Sequence, residues 1–119
     1  MKAKNEIQKG LSEFSGTEQY YKYMLGLLLT DGVKWLADEA QCHWLLDVIA
    51  STQLIRKVRC EEFQVHKLKV DLEKHKAVFW VEDGNDNKLY TQAIPYTDFP
   101  LPEIKLWLIG GVIMLPGEY

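Results

Sequence analysis

Asp83-Gly84-Asn85-Asp86-Asn87-Lys88 places Asp, Asn and Asn at alternate positions, as a calcium-binding loop begins. The pattern then fails. The sixth position is Lys88, where the loop needs Gly, and the twelfth is Ile94, where a bidentate Glu is required. A hairpin turn accounts for the same residues, because Asn and Asp tolerate the left-handed region. His43, His66 and His75, with Cys42 and Cys60, offer soft metal ligands and bases. None falls into HxH, HExxH or CxxC spacing, so only the tertiary fold can unite them. Cys42 adjoins His43, but neighbours on a helix point about 100° apart, which argues against a thiol–imidazole pair. There is no G-x-S-x-G elbow and no glycine-rich phosphate loop. Asp31 and Asp47 sit in turn or apolar contexts, so a small metal-dependent hydrolase would draw on them and a His. The residues therefore assign no catalytic group, no metal and no cofactor.

Aromatic residues are the more distinctive resource. Tyr20, Tyr21 and Tyr23 cluster, and Tyr96, Phe99, Trp107 and Tyr119 lie in or after a Pro-rich turn. Exposed Tyr and Trp anchor protein partners. Tyr20, Tyr21, Tyr96, Asp98 and Phe99 are the expected contact residues, supported by Glu82, Asp83 and Asp86 of the acidic hairpin. Trp35, Trp44, Phe79 and Trp80 are expected in the core.

The chain of 119 residues carries a net charge of -3, with 47% hydrophobic and 26% charged residues. That is the composition of an ordinary folded domain, and one domain over residues 1–119 is expected. The acidic balance argues against a general nucleic-acid binder. Charge is unevenly spread: residues 56–76 hold seven Lys/Arg against four Asp/Glu, while residues 82–119 hold six acids against two Lys. The polar opening lacks the apolar stretch of a leader, and Met24 to Leu29 is too short to cross a bilayer. A cytoplasmic protein with reduced thiols is expected.

Elements follow from periodicity. Ile7, Leu11 and Phe14 form one stripe and predict a helix over about residues 3–13, broken by Ser15-Gly16-Thr17. Leu27 to Leu29 reads as a short strand. Asp31 is the expected N-cap of a helix over about 32–40, and a second helix follows over about 42–52, with a break near Gln41. Phe63 and Val65 share one strand face while Leu68, Val70 and Leu72 share the other, so a β-bulge is expected near His66-Lys67. Ala77 to Val81 is apolar at every position, as in a strand covered on both sides, and a hairpin joins it to Leu89–Ile94. Pro95, Pro100 and Pro102 exclude helix and inner strand. Ile104–Ile109 and Val112–Leu115 form a second hairpin about Gly110-Gly111. The fold class is α+β: an N-terminal helix, a short strand, two central helices, then an antiparallel sheet of four to five strands with helices on one face. If the second hairpin lies at a sheet edge, a homodimer would cover it.

Several stretches resemble a family of small bacterial proteins carried on plasmids and phage-like elements and grouped as a domain of unknown function. They are residues 14–21 (FSGTEQYY), 30–36 (TDGVKWL), 44–51 (WLLDVIAS), 82–85 (EDGN), 94–101 (IPYTDFPL) and 115–119 (LPGEY). The resemblance implies a mobile-element accessory protein. In that setting a small acidic α+β protein without catalytic motifs acts by binding, as anti-CRISPR and anti-restriction inhibitors of host nucleases do. The expected function is non-enzymatic protein binding, with no membrane partner. One alternative is a nucleic-acid-associated factor using Arg56, Lys57, Arg59, Lys67 and Lys69; the other is the small hydrolase.

Overall fold

The computed structural model describes residues 3–119; Met1 and Lys2, which open the stretch read as lacking a leader, lie outside the described residues. The protein is α+β. Among the described residues are four α-helices, α1 (Lys4–Ser12), α2 (Asp31–Glu39), α3 (His43–Thr52) and α4 (Arg56–Arg59). Seven strands accompany them: β1 (Tyr21–Lys22), β2 (Leu28–Leu29), β3 (Phe63–Asp71), β4 (Lys76–Asp83), β5 (Lys88–Ile94), β6 (Glu103–Ile109) and β7 (Val112–Met114). They form one sheet in the order β1-β2-β7-β6-β3-β4-β5. Its pairings are antiparallel except for β2–β7, which is parallel. The sheet is therefore larger than the expected four to five strands, and mixed. β2 is the short strand expected at Leu27 to Leu29, whereas the two-residue β1 and the single-turn α4 are too short to show a period.

The long strand β3 organises the sheet. Gln64, His66, Leu68 and Val70 are buried on one face, and Phe63, Val65, Lys67 and Lys69 take the other. Its register with β4 and β6 runs unbroken through His66 and Lys67, so the expected bulge there is absent. Hydrophobicity changes face along this strand while the backbone does not: polar Gln64 and His66 point inward, and apolar Phe63 and Val65 point outward. The irregularity falls instead at Val81/Glu82, where β4 shifts against β5 and two consecutive residues become buried.

On β4, Ala77, Phe79 and Val81 are buried, but Val78 is 44% exposed and Trp80 only half-buried. The expected cover on both sides is corrected to cover on one. Inward residues of β3, β4 and β6 join Ile7 of α1, Leu36 of α2, Ile49 of α3 and Val58 of α4 in one core. The hairpin of β6 and β7 turns at Gly110 (φ +57°) and Gly111 (φ +82°), both in the region glycine favours. It is not at an edge, because β2 pairs with β7 and the edges are β1 and β5. The edge argument for a dimer therefore lapses.

Helix α2 starts from Thr30, not Asp31. The Thr30 hydroxyl oxygen accepts the Val33 N–H at 3.4 Å. The hydroxyl itself donates to Glu118 at 2.6 Å. The buried Glu118 carboxylate also accepts the N–H groups of Gly32 and Leu115, each at 3.0 Å. This puts an anion on the positive end of the helix and ties the last turn of the chain to it. A Cβ on Gly32 would come within 2.5 Å of the Leu115 side chain and 2.7 Å of the Glu118 carboxylate, so any other residue would have to displace them. Gln41, at φ +50°, separates α2 from α3 where the break was expected.

Replacing Glu118 by Ala leaves Thr30 Oγ1 and two backbone N–H groups without their acceptor. The expected loss is about 1–3 kcal/mol of unfolding free energy, measured by urea titration. An unchanged midpoint would show that the clasp carries no stability.

Candidate functional site

The catalytic candidates do not converge. The Asp31 carboxylate accepts the N–H of Glu18 at 2.8 Å and of Gln19 at 3.4 Å, and the Tyr21 hydroxyl at 3.1 Å. These bonds, the Glu18 N–H foremost, hold its carboxyl below the usual range. Asp47 accepts a short hydrogen bond from the Tyr23 hydroxyl; burial and that bond push the phenol up to about 12. His43 lies 3.3 Å from Asp38 on the surface, and the exposed His75 lies beside Tyr96 with ring centroids 6.2 Å apart. Cys42 is buried, its thiol donates to the Leu36 carbonyl, and burial pushes it up to about 12, whereas Cys60 is exposed. In the Asp83 turn, Asn85 N–H, Asn87 N–H and the Asn87 amide all donate to the Asp83 carboxylate. Among the described residues no three His, Cys, Asp or Glu side chains group as metal ligands.

The expected contact residues scatter as well. Tyr20, 57% exposed, precedes β1 at one edge of the sheet, and Tyr96, 71% exposed, follows β5 at the other. Tyr21 is half-buried and bonded to Asp31 and Gln19. Asp98 is exposed, but its neighbour Phe99 is a core residue, packed inward where the Pro-rich segment closes over the sheet's end. Asp83 and Asp86 lie in the β4–β5 turn, at the end of β5 opposite Tyr96. Glu82 is buried and engaged: it accepts Lys67 Nζ at 3.1 Å and the Trp80 indole N–H. Those contacts, the indole bond first, keep its carboxyl below the ordinary range. Of the residues expected in the core, Phe79 is there, whereas Trp35, Trp44 and Trp80 are only partly buried.

One surface does gather aromatic and cationic side chains: the sheet face that carries no helix. Register places Trp107 opposite both Val65 and Met114, and Phe63 opposite Ile109. All five are half-buried. Phe63 and Trp107 rings stand 5.0 Å apart, and Tyr119 meets Trp107 edge-on at 5.7 Å. Toward the other end of the same face lie Lys67, Lys69, Lys105 and Trp80. Sequence reasoning missed this surface, although its signal was present in the outward Phe63 and Val65 that were assigned to a bulge.

The profile of a family of unknown function, DUF6876, matches residues 5–119. The chain belongs to that family. No curated protein and no solved structure matches it. In this DUF6876 chain no helix of the described residues is long and apolar enough to cross a membrane.

A second polar cluster lies inside the DUF6876 core. Gln53 and Gln64 exchange amide hydrogen bonds of 2.7 and 3.0 Å, and the Gln64 amide nitrogen donates to the Val58 carbonyl at 2.9 Å. That assignment makes Gln64 Oε1 an acceptor, so His66 Nε2 carries the proton it donates at 2.9 Å. His66 Nδ1 is buried with no partner. Burial lowers the imidazole to about 3. The unfolded chain binds a proton near pH 6.5, and the folded one does so only near 3. The contribution of His66 is thus complete above about pH 6.5 and is lost as pH falls toward 3.

Between about pH 5.5 and 4 the wild type should lose stability faster than His66→Gln, by roughly 1.4 kcal/mol per pH unit. Urea midpoints measured across that window check this, and parallel curves would exclude an ionisation penalty at His66.

Proposed function

We propose that this DUF6876 chain is a non-enzymatic binding protein that docks on a protein partner through the open face of its sheet. The observation that carries the reading is the cluster of Phe63, Trp107 and Tyr119 on a face the helices leave uncovered. Aromatic side chains dominate the energetics of protein interfaces, and a sheet holds them with little conformational freedom to lose. Val65, Ile109 and Met114 surround them with apolar surface of the kind found at an interface core. The engaged state of Asp31, Asp47, His66 and Cys42 supports binding over catalysis. In the mobile-element setting that the sequence resemblance implies, the partner is a host or element-encoded protein. A defence nuclease is a target that docking alone would block.

Tagged protein, incubated with nuclease-treated lysate of the native host, should capture a stoichiometric partner. Phe63→Ala with Trp107→Ala should abolish capture, whereas Tyr20→Ala with Tyr96→Ala should not. Capture unchanged by a folded Phe63/Trp107 double variant would remove this face from the function. Light scattering on the purified protein identifies a second copy of the chain, should that be the occupant.

A further inference from the structure

The cationic end of the open face has a chemistry of its own. Two hollows open there, of about 580 and 500 Å³, and they share Lys69 and Trp80. One continues over Val78, Ala93 and Pro95; the other runs to Lys67, Glu103 and Lys105. Trp80 stands between them, its indole N–H tied to Glu82. The ammonium groups of Lys88 and Lys67 lie 5.1 and 6.0 Å from its ring centroid.

The charge pattern is unbalanced. Lys67 stands directly opposite Lys105 across the β3–β6 ladder, and Lys69 follows on the same face opposite Glu103, with no ion pair formed between those two. Like charges placed opposite each other on a sheet destabilise it unless an anion neutralises them. Glu82 reaches only Lys67. The Asp71 carboxylate accepts the N–H groups of Glu73 and Lys74 in the next turn. Among the described residues neither Lys69 nor Lys105 has an ion-pair partner.

We propose that this end of the face binds single-stranded nucleic acid, a base stacking on Trp80 and backbone phosphates lying against Lys67, Lys69 and Lys105. The ligand's chemistry mirrors the site: an aromatic ring attached to anions meets an indole hemmed by ammoniums. Stacking on an aromatic platform with a cationic track alongside is how single strands are held without sequence preference. A duplex keeps its base faces stacked away from such a platform, and the sheet face offers no helix to enter a groove. The lysine stems are flexible, so Lys88 can leave the ring for a phosphate as a base arrives. The net charge of -3 limits non-specific duplex binding, but on this patch Lys67, Lys69, Lys88 and Lys105 outnumber Glu82 and Glu103, and screening makes the local set the one a ligand meets. The inference goes beyond protein docking: it uses different residues and does not depend on that reading.

The test is fluorescence anisotropy with labelled oligo(dT) and oligo(U) of about 20 nucleotides, on the full chain. Both should bind, and a duplex of the same length should bind more weakly. Raising salt from about 50 to about 200 mM should weaken binding roughly 20-fold, the slope for three phosphate contacts on a single strand. Trp80→Ala should cost roughly tenfold or more. Lys69→Gln with Lys105→Gln should weaken binding and remove about two-thirds of the salt slope. Trp107→Ala, at the apolar end, should leave it within about twofold, with circular dichroism confirming the fold of each variant. The proposal is overturned by absent binding at low salt, or by binding indifferent to Trp80 and the lysines. Competition by poly-glutamate as effective as that by unlabelled oligo(dT) would likewise overturn it and identify an acidic protein surface as the ligand.

Discussion

Leu68 stands between Phe79 on β4 and Ile104 on β6, and Val70 and His66 repeat that inward placement on either side. The alternation of β3 is the constraint on which the rest of the fold depends. A strand's period is two, so a single slip would send Leu68 and Val70 outward and bring Lys67 and Lys69 into the core. Burying two ammonium groups unpaired is far more costly than any gain from Phe63 or Val65. The register is therefore held from the lysine end of the strand. The other end accommodates what results: Gln64 and His66 must be buried, and Phe63 and Val65 must face out.

That outcome shapes both faces. Inside, Gln64 and His66 need partners that a purely aliphatic core would not supply. For Gln64 the stretch from α3 to Glu61 provides them through Gln53 and the carbonyl groups of Val58 and Glu61, and Gln64 in turn accepts the Nε2 proton of His66. The short α4 then has a reason to exist, since its first turn delivers Val58 to the core and its carbonyl to Gln64. Outside, Phe63 and Val65 find Trp107, Ile109 and Tyr119 instead of solvent alone. A buried amide network and an outward aromatic cluster are two consequences of one register. The far side of the fold closes by a different device. Glu118 joins the chain's last turn to the start of α2, and β2 pairs with β7 beside it.

What the sequence disclosed follows the same physics. The α+β class, the helices about α1, α2 and α3, the break at Gln41 and both hairpins were legible, because each rests on a local period or on a residue with special backbone freedom. The short strand β2 was legible as the apolar run Leu27 to Leu29, but β1 and α4 were not, since two to four residues carry no period. The bulge was misplaced because hydrophobicity was taken as the marker of the inward face. That marker fails where Gln64 and His66 are buried in a hydrogen-bonded amide network, which no hydrophobic pattern announces. Phe99 was read as an anchor from its Pro-rich context, and nothing local reveals that Thr97 and Leu101 turn inward with it. Asp31 looked like a cap because Asp favours that position, but Thr30 takes it, held by Glu118 from 88 residues away, while the Asp31 carboxylate turns to Glu18, Gln19 and Tyr21.

The binding surfaces were hidden for a related reason. Tyrosines near turns are visible in a sequence, whereas a face assembled from β3, β4, β6 and β7 draws single residues from four separate stretches. Lys67 and Lys105 are 38 positions apart in the chain, yet they are direct cross-strand neighbours. Net charge could not report them, because the total of -3 includes the acids of α2 and the β4–β5 turn. Screening in salt restricts each exposed charge to roughly 10 Å, so the local set is what an approaching ligand meets. The same face thus presents aromatic area at one end and ammonium groups at the other, with the Lys67–Glu82 pair and its bond to Trp80 at the boundary. Glu82 keeps that boundary fixed: it pairs with Lys67 and orients the indole of Trp80.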